Sequence, residues 1–288
     1  MELKHIAARS GRLSSFLREE MGMSAGLMNR LKWKEGLFVN GNPVHTDFAV
    51  QPGDVITVPL DEPAPEYPAQ EGALNILYED EHLLAVDKPA GMLIHPSRSR
   101  YTDTLANYVL GYYQKTGQNS AFHPLTRLDR DTFGVVLLAK NSHIHSLLMA
   151  SPVKKTYHAW VCGAPEAPEG IIDAPIGRLP LPSLLRQVMP DGKPSVTEYK
   201  VLERREELCK LELNPVTGRT HQLRVHCAYM GFPILGDPQY GSEKSREISE
   251  KLGVFTQLLC AKSLRFAHPV GGQIVEISSG FDGEIPCF

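Results

Sequence analysis

One aspartate stands between arginines in Arg127-Leu128-Asp129-Arg130-Asp131-Thr132-Phe133-Gly134, and the octet runs straight into Val135-Val136-Leu137-Leu138-Ala139. The apolar run reads as a buried strand, so Asp129 stands at the edge of a core. A carboxylate there is costly unless a cation pairs with it or chemistry uses it. A second segment, Gly218-Arg219-Thr220-His221-Gln222-Leu223-Arg224-Val225-His226, offers the cation. Thr220 is expected to cap a helix that starts near His221, which puts Arg224 in the first turn. A cation there opposes the helix dipole and is better tolerated facing a fixed anion, for which Asp129 is the natural candidate. Such pairing keeps a carboxylate charged and oriented, as nucleophilic or basic work demands.

Blander roles exist for each of these residues. Asp129 by itself is equally a turn residue in a structural salt bridge, and Asp131 is a local cap or turn former. Tyr157, in Lys154-Lys155-Thr156-Tyr157-His158-Ala159, is by residue type a core strand tyrosine, and Lys154 and Lys155 are either phosphate contacts or solvated. His221 and His226 are five apart, not the i, i+4 spacing of a helical zinc pair, so they read as hydrogen-bonding or RNA-proximal residues.

The elements that must position these residues follow from length and pattern. The chain has 288 residues, 42% hydrophobic and 22% charged, which suits one large domain and one small one. Residues 61–72 hold four acidic residues, three prolines and no basic residue, and read as a stiff linker. They separate a module at 1–60 from a domain at 73–288. In the first, Arg12 to Glu20 places Leu13, Phe16 and Leu17 on one helical face, and Ser24 caps a second helix that Gly36 ends. Asn40-Gly41 is a hairpin turn, and Val55-Ile56-Thr57-Val58 a strand. In the second, strands are expected near 75–78, 83–87, 135–139, 157–161, 195–202 and 208–213. Helices are expected near 104–113, 144–149 and 221–230. Strands outnumber helices without βαβ alternation, which predicts an α+β domain with a mixed, largely antiparallel sheet.

Three segments taken together resemble the RluA-type family of RNA pseudouridine synthases. They are Val86-Asp87-Lys88-Pro89-Ala90-Gly91-Met92-Leu93-Ile94-His95-Pro96, the octet around Asp129, and the stretch from Gly218 to His226 with Gly236-Asp237 and Tyr240-Gly241. The likeness covers residues 73–270. It implies that uracil is detached from ribose C1′, rotated, and rejoined through C5. By this resemblance Asp129 is the essential aspartate, attacking C1′ or taking a sugar proton, and Arg224 is its partner. Tyr157 packs under the base and assists loss of the C5 proton, Arg127 fills the stack vacated by the flipped base, and Leu223 floors the uracil. The residues agree with this reading. A glycosidase needs two cooperating carboxylates, whereas an isomerase that keeps its base needs one with a cationic partner. Reaching C1′ in folded RNA requires extruding the nucleotide. Two departures stand out: Thr126 occupies the place of a usual histidine, and Phe133 that of a small hydroxyl residue. Base extrusion and packing under the octet are therefore expected to differ. The competing readings are a non-catalytic RNA-binding protein on the same fold and a hydrolytic N-glycosidase.

Residues 1–60 resemble the alpha-L (S-four-like) RNA-binding motif through Arg12-Leu13, Phe16-Leu17, Ser24, Leu31, Gly36, Val39-Asn40-Gly41 and Gln51–Val58. The likeness implies a small α/β module offering RNA phosphates a basic face, here Arg12, Arg30, Lys32 and Lys34. Ala25-Gly26 stands where that family usually has arginines, which predicts weaker affinity. No P-loop, GxGxxG or CxxC pair is present, so no cofactor and no metal are expected. The five cysteines read as reduced apolar residues. The expected partner is RNA, ribosomal in preference to transfer RNA, with no membrane contact. A monomeric, cytoplasmic protein is expected.

Overall fold

The structure, a computed structural model, describes residues 2–33, 36–60, 67–97, 100–180, 182–183 and 185–281. Lys34, the side chains of Arg30 and Lys32, and Cys287 lie outside the described residues.

Residues 2–60 build a core of their own from Leu3, Leu13, Phe16, Leu17, Leu27, Leu31, Val39, Ile56 and Val58, among others. The first helix runs Leu13–Ser15 and widens into a π-helical turn over Phe16–Glu20, keeping the three expected apolar residues inside. The second spans Ala25–Trp33, and Ser24 Oγ accepts the Leu27 N–H at 3.2 Å. Asn40 and Gly41 both have positive φ (51° and 79°), as a tight hairpin between Phe38–Val39 and Asn42–Pro43 requires. The strand Val55–Pro59 pairs with an unanticipated N-terminal strand, Glu2–Ile6.

The rest of the chain is built on a mixed sheet of ten strands. Along its main path lie Glu169–Asp173, Val196–Arg205, Leu208–Pro215, Val153–Cys162, Leu259–Ala267, Phe133–Ala139, Leu83–Lys88 and Ile76–Glu79. Phe133–Ala139 and Leu259–Ala267 run parallel, and the other pairings are antiparallel. The period of two along the central strands feeds two cores. Leu84, Val86, Val136 and Leu138 meet the helix Leu105–Lys115 on one face. Leu83, Ala85, Val135 and Leu137 meet Ile144 and Leu148 of the helix Ser142–Ala150 on the other. Covered on both faces, the strands read as unbroken apolar runs.

The expected linker is corrected in its second half. Gln70 N–H donates to the Asn107 carbonyl, Gln70 Nε2 to Asp103 Oδ1, and Asn107 Nδ2 to the Pro68 carbonyl. These residues are docked on the helix Leu105–Lys115, whose Gly111 lets the backbone of Gln70 approach where a Cβ would sit 2.1 Å from its carbonyl oxygen. Residues 61–66 are not described. The four described cysteines are buried and unbridged. Among the described residues, no helix is long and apolar enough to cross a membrane.

Candidate active site

The octet is held by its neighbours on three sides. Ahead of it, Leu125 N–H donates to the Leu137 carbonyl, and Leu137 N–H to Thr126 Oγ1 at 3.2 Å. Thr126, the departure noted in the sequence, is buried and serves as a backbone clasp. Behind it, Gly134 pairs with Ala261 in the parallel register at φ 108°. A Cβ there would lie 2.4 Å from the Ala261 carbonyl oxygen, so only glycine lets the two strands close. Phe133 turns to meet the ring of Phe281 edge-on at 5.7 Å and is not among the residues lining the cleft. Beneath, the buried Lys88 ammonium donates to the carbonyls of Pro89 (2.9 Å), Met92 (3.0 Å) and Arg130 (2.9 Å). This ties the first family segment to the second. Burial lowers Lys88 to about 8, against the opposing pull of Asp131 and Asp129. In place of the cap or turn bond expected of it, the Asp131 carboxylate accepts two hydrogen bonds from the side chain of its neighbour Arg130 (2.9 and 2.8 Å).

Asp129 lies half-buried in the loop so formed. Its Oδ2 accepts from Arg224 Nη1 at 3.1 Å. Arg224 reaches it from the helix Gln222–Tyr229, and its Nε and Nη2 are engaged elsewhere. Nε and Nη2 donate to Asp237 at 2.7 and 2.8 Å, and Nη2 also to Gln239 Oε1 at 3.0 Å. Burial by itself lowers the Arg224 pKa. The hydrogen bonds and charge of Asp237, with the charge of Asp129, more than reverse that. Asp237, quoted in the sequence without a role, is thus the residue that aims Arg224. The expected cap is corrected: His221, not Thr220, is the N-cap, with a left-handed backbone (φ 57°, ψ 18°) and no side-chain cap bond. Gln222 Oε1 accepts the Arg219 N–H at 3.0 Å and ties down the turn that leads into the helix.

Tyr157 comes from the centre of the sheet, at a register shift between Thr156 and Tyr157 that re-aims its side chain. It packs against both of the cores that meet at the cleft, one containing Leu128 and the other Leu223. Burial first, then the Asp129 charge, raises its pKa, so the phenol keeps its proton at neutral pH. Lys155, two residues earlier on the strand, faces the same space with a pKa lowered by burial.

These side chains converge on a cleft of about 360 Å³, within the range of small-ligand sites. Arg127, Asp129, Lys155, Tyr157, Leu223 and Arg224 all line it, with Arg127 exposed at its edge. Arg12 is exposed on the separate N-terminal core and does not line the cleft. Of the two histidines, His221 lines the cleft. His226 takes the hydrogen-bonding role of the two expected, fully buried between Thr197 Oγ1 and the Ala174 carbonyl, both at 2.9 Å.

Asp129 is the single carboxylate among the described residues lining the cleft. Hydrolysis of a glycosidic bond calls for two. One carboxylate, braced by a buried arginine beside an apolar floor and a protonated phenol, suits an enzyme that rearranges a nucleoside and retains its base. Comparison with known proteins gives the class its family. Residues 82–229 match the model described as RNA pseudouridylate synthase, and the chain belongs to that family. It is 38% identical over 258 residues to the uncharacterized RNA pseudouridine synthase YjbO of Bacillus subtilis, covering 87% of this chain and 89% of that one. It is 35% identical over 266 residues to ribosomal large subunit pseudouridine synthase D of Vibrio cholerae, covering 86% and 82%. Its fold is similar to that of human RNA pseudouridylate synthase domain containing 1, with a TM-score of 0.60 at 28% identity over 74% of this chain and 86% of that one. The protein is an RNA pseudouridine isomerase.

Proposed function

We propose that Asp129 is the essential catalytic residue and that the uridines it isomerises lie in ribosomal RNA. The observation that carries the reading is the 3.1 Å contact between Arg224 Nη1 and Asp129 Oδ2 inside a nucleoside-sized cleft. Asp129 acts on the sugar, by attack at C1′ or by removal of a sugar proton, and the C1′–N1 bond breaks with its electron pair leaving on uracil. The base turns over Leu223 with Tyr157 packed under it, C5 bonds to C1′ as Asp129 is released, and the proton lost from C5 is matched by one gained at N1, so no atom is left over. Tyr157, holding its own proton, acts here as a platform and hydrogen-bond donor. Arg127, exposed at the edge of the cleft, takes the stacking position of the extruded nucleotide, and Lys155 meets its phosphate.

Residues 1–60 act as an RNA-binding module of alpha-L type, with 73–288 as the catalytic domain and the protein a monomer. The separate core of residues 2–60 and the exposure of Arg12 support this division. Ribosomal RNA is favoured over transfer RNA because a relative that aligns over 86% of this chain carries a large-subunit ribosomal name.

Mapping pseudouridine in total RNA from cells with and without the gene tests the reading. Loss at discrete uridines of large-subunit ribosomal RNA is the expected result. Loss confined to transfer RNA overturns the substrate assignment, and an unchanged map overturns the function.

A further inference from the structure

His221 is held in the left-handed backbone region, at φ 57°, although it is not glycine. Non-glycine residues held there mark a position that the surroundings over-determine. Its ring meets Tyr240 edge-on, and Nδ1 lies 2.8 Å from the Tyr240 hydroxyl. That hydroxyl already accepts the Arg186 N–H at 3.0 Å. A phenol has one hydrogen to give, and the ring nitrogen beside it takes that hydrogen. With Nδ1 as the acceptor of that hydrogen, the arrangement the proposal below adopts, the proton of the neutral imidazole sits on Nε2. Nε2 faces Asp129 Oδ1 at 3.8 Å, the oxygen that Arg224 does not hold. Arg224 also lies over the Tyr240 ring, 5.0 Å from its centroid, so the guanidinium that braces Asp129 packs against the tyrosine that orients His221.

We propose that His221 is a positioning residue for Asp129. Tyr240 sets its tautomer, and its Nε2–H holds the second carboxylate oxygen once the cleft closes on a nucleotide. This rests on the reading of Asp129 as the catalytic carboxylate. Closing by about 1 Å turns the present separation into a charge-assisted hydrogen bond. Asp129 would then be fixed through both oxygens, one to Arg224 and one to His221. Burial pushes His221 below its ordinary pKa. The charges of Asp129 and Asp237 pull upward, and those of Arg224 and Arg186 downward. The imidazole is therefore neutral at neutral pH, as the donor arrangement requires.

The test compares His221→Gln, whose amide nitrogen reaches the place of Nε2, with His221→Asn, which reaches only that of Nδ1 and suits a left-handed backbone. The substrate is total RNA from cells lacking the gene, tritiated at uridine C5, under single-turnover conditions. H221N is expected to slow tritium release about tenfold or more with RNA affinity unchanged, and H221Q to recover to within about threefold of the native rate. Nitrogen NMR of the full chain is expected to show His221 protonated on Nε2 at pH 7, and Tyr240→Phe to relax that preference. An Nδ1–H tautomer, an H221N enzyme at native rate, or an H221Q enzyme as slow as H221N overturns the proposal. A native enzyme silent on this RNA sinks the functional reading instead, while the tautomer measurement still decides whether His221 is set as described.

Discussion

Arg224 and Asp129 are 95 residues apart in sequence and meet through one hydrogen bond, Nη1 to Oδ2 at 3.1 Å. Arg224 commits Nε and Nη2 to Asp237 and Gln239 before any substrate arrives. A buried guanidinium held at those two nitrogens, with Nη1 turned to Asp129, has little freedom left to lose. Donors fixed in advance act on developing charge without reorganisation cost.

Replacing Asp129 with Asn keeps the size of the side chain and removes its charge. Pseudouridine formation is expected to vanish while RNA affinity stays within a few-fold of native, because Arg127 and Lys155 still line the cleft. Tritium release from labelled RNA, read beside a binding titration, checks this. Retained turnover would take Asp129 out of the mechanism.

Asp237→Asn tests the aiming of Arg224. The amide can accept only one of the two donated N–H groups, so the guanidinium gains a way to swing off Asp129. Turnover is expected to fall by about 10–100-fold at near-native RNA affinity, the usual size of losing a charged hydrogen bond. Single-turnover rates decide it, and a native rate would show that Asp129 needs no such aiming.

Lys88→Met removes the ammonium that three carbonyls share and is expected to cost about 1–3 kcal/mol of stability at pH 7. The pH dependence is a sharper check. The folded-state pKa of Lys88, about 8, lies below the ordinary lysine value. Between those two values the unfolded chain binds more protons than the folded one. The native protein therefore gains stability as pH rises from about 8 towards 9.5, and the variant lacks that component of the slope. Urea unfolding of both proteins across this range measures it. Parallel slopes would mean that Lys88 titrates normally.

Arg12→Glu reverses an exposed charge on the N-terminal core, at a residue outside the cleft-lining set. RNA binding is expected to weaken and to need lower salt, with single-turnover rate at saturation unchanged. Deleting residues 1–60 is expected to do the same more strongly. Affinity that ignores both changes would make the module a passenger.

Much of the fold was legible because its signals are local. Residues 83–86 and the strand Phe133–Ala139 are apolar on both faces, Asn40-Gly41 is a residue pair suited to positive φ, and Ser24 carries its cap chemistry in its own side chain. What escaped had weak local signals. Glu243–Lys251 is a helix that buries only Ser245, Ile248 and Ser249 and has no apolar stripe to read. In Leu259–Ala267, Lys262 and Arg265 interrupt the apolar pattern.

The sequence by itself singled out the residues proposed to carry the chemistry. Asp129, Arg224 and Tyr157 stand in short segments whose residue types match one family, and types and spacing are properties of a linear chain. It also settled an α+β class, since strand and helix periods are local. Only the tertiary structure decided that Asp237 aims Arg224, that Lys88 ties two segments together, and that His221 faces Asp129 while His226 is buried in the core. Each of those facts is a contact between residues from separate segments of the folded chain. Such contacts depend on strand order and register, which are fixed when the whole core packs.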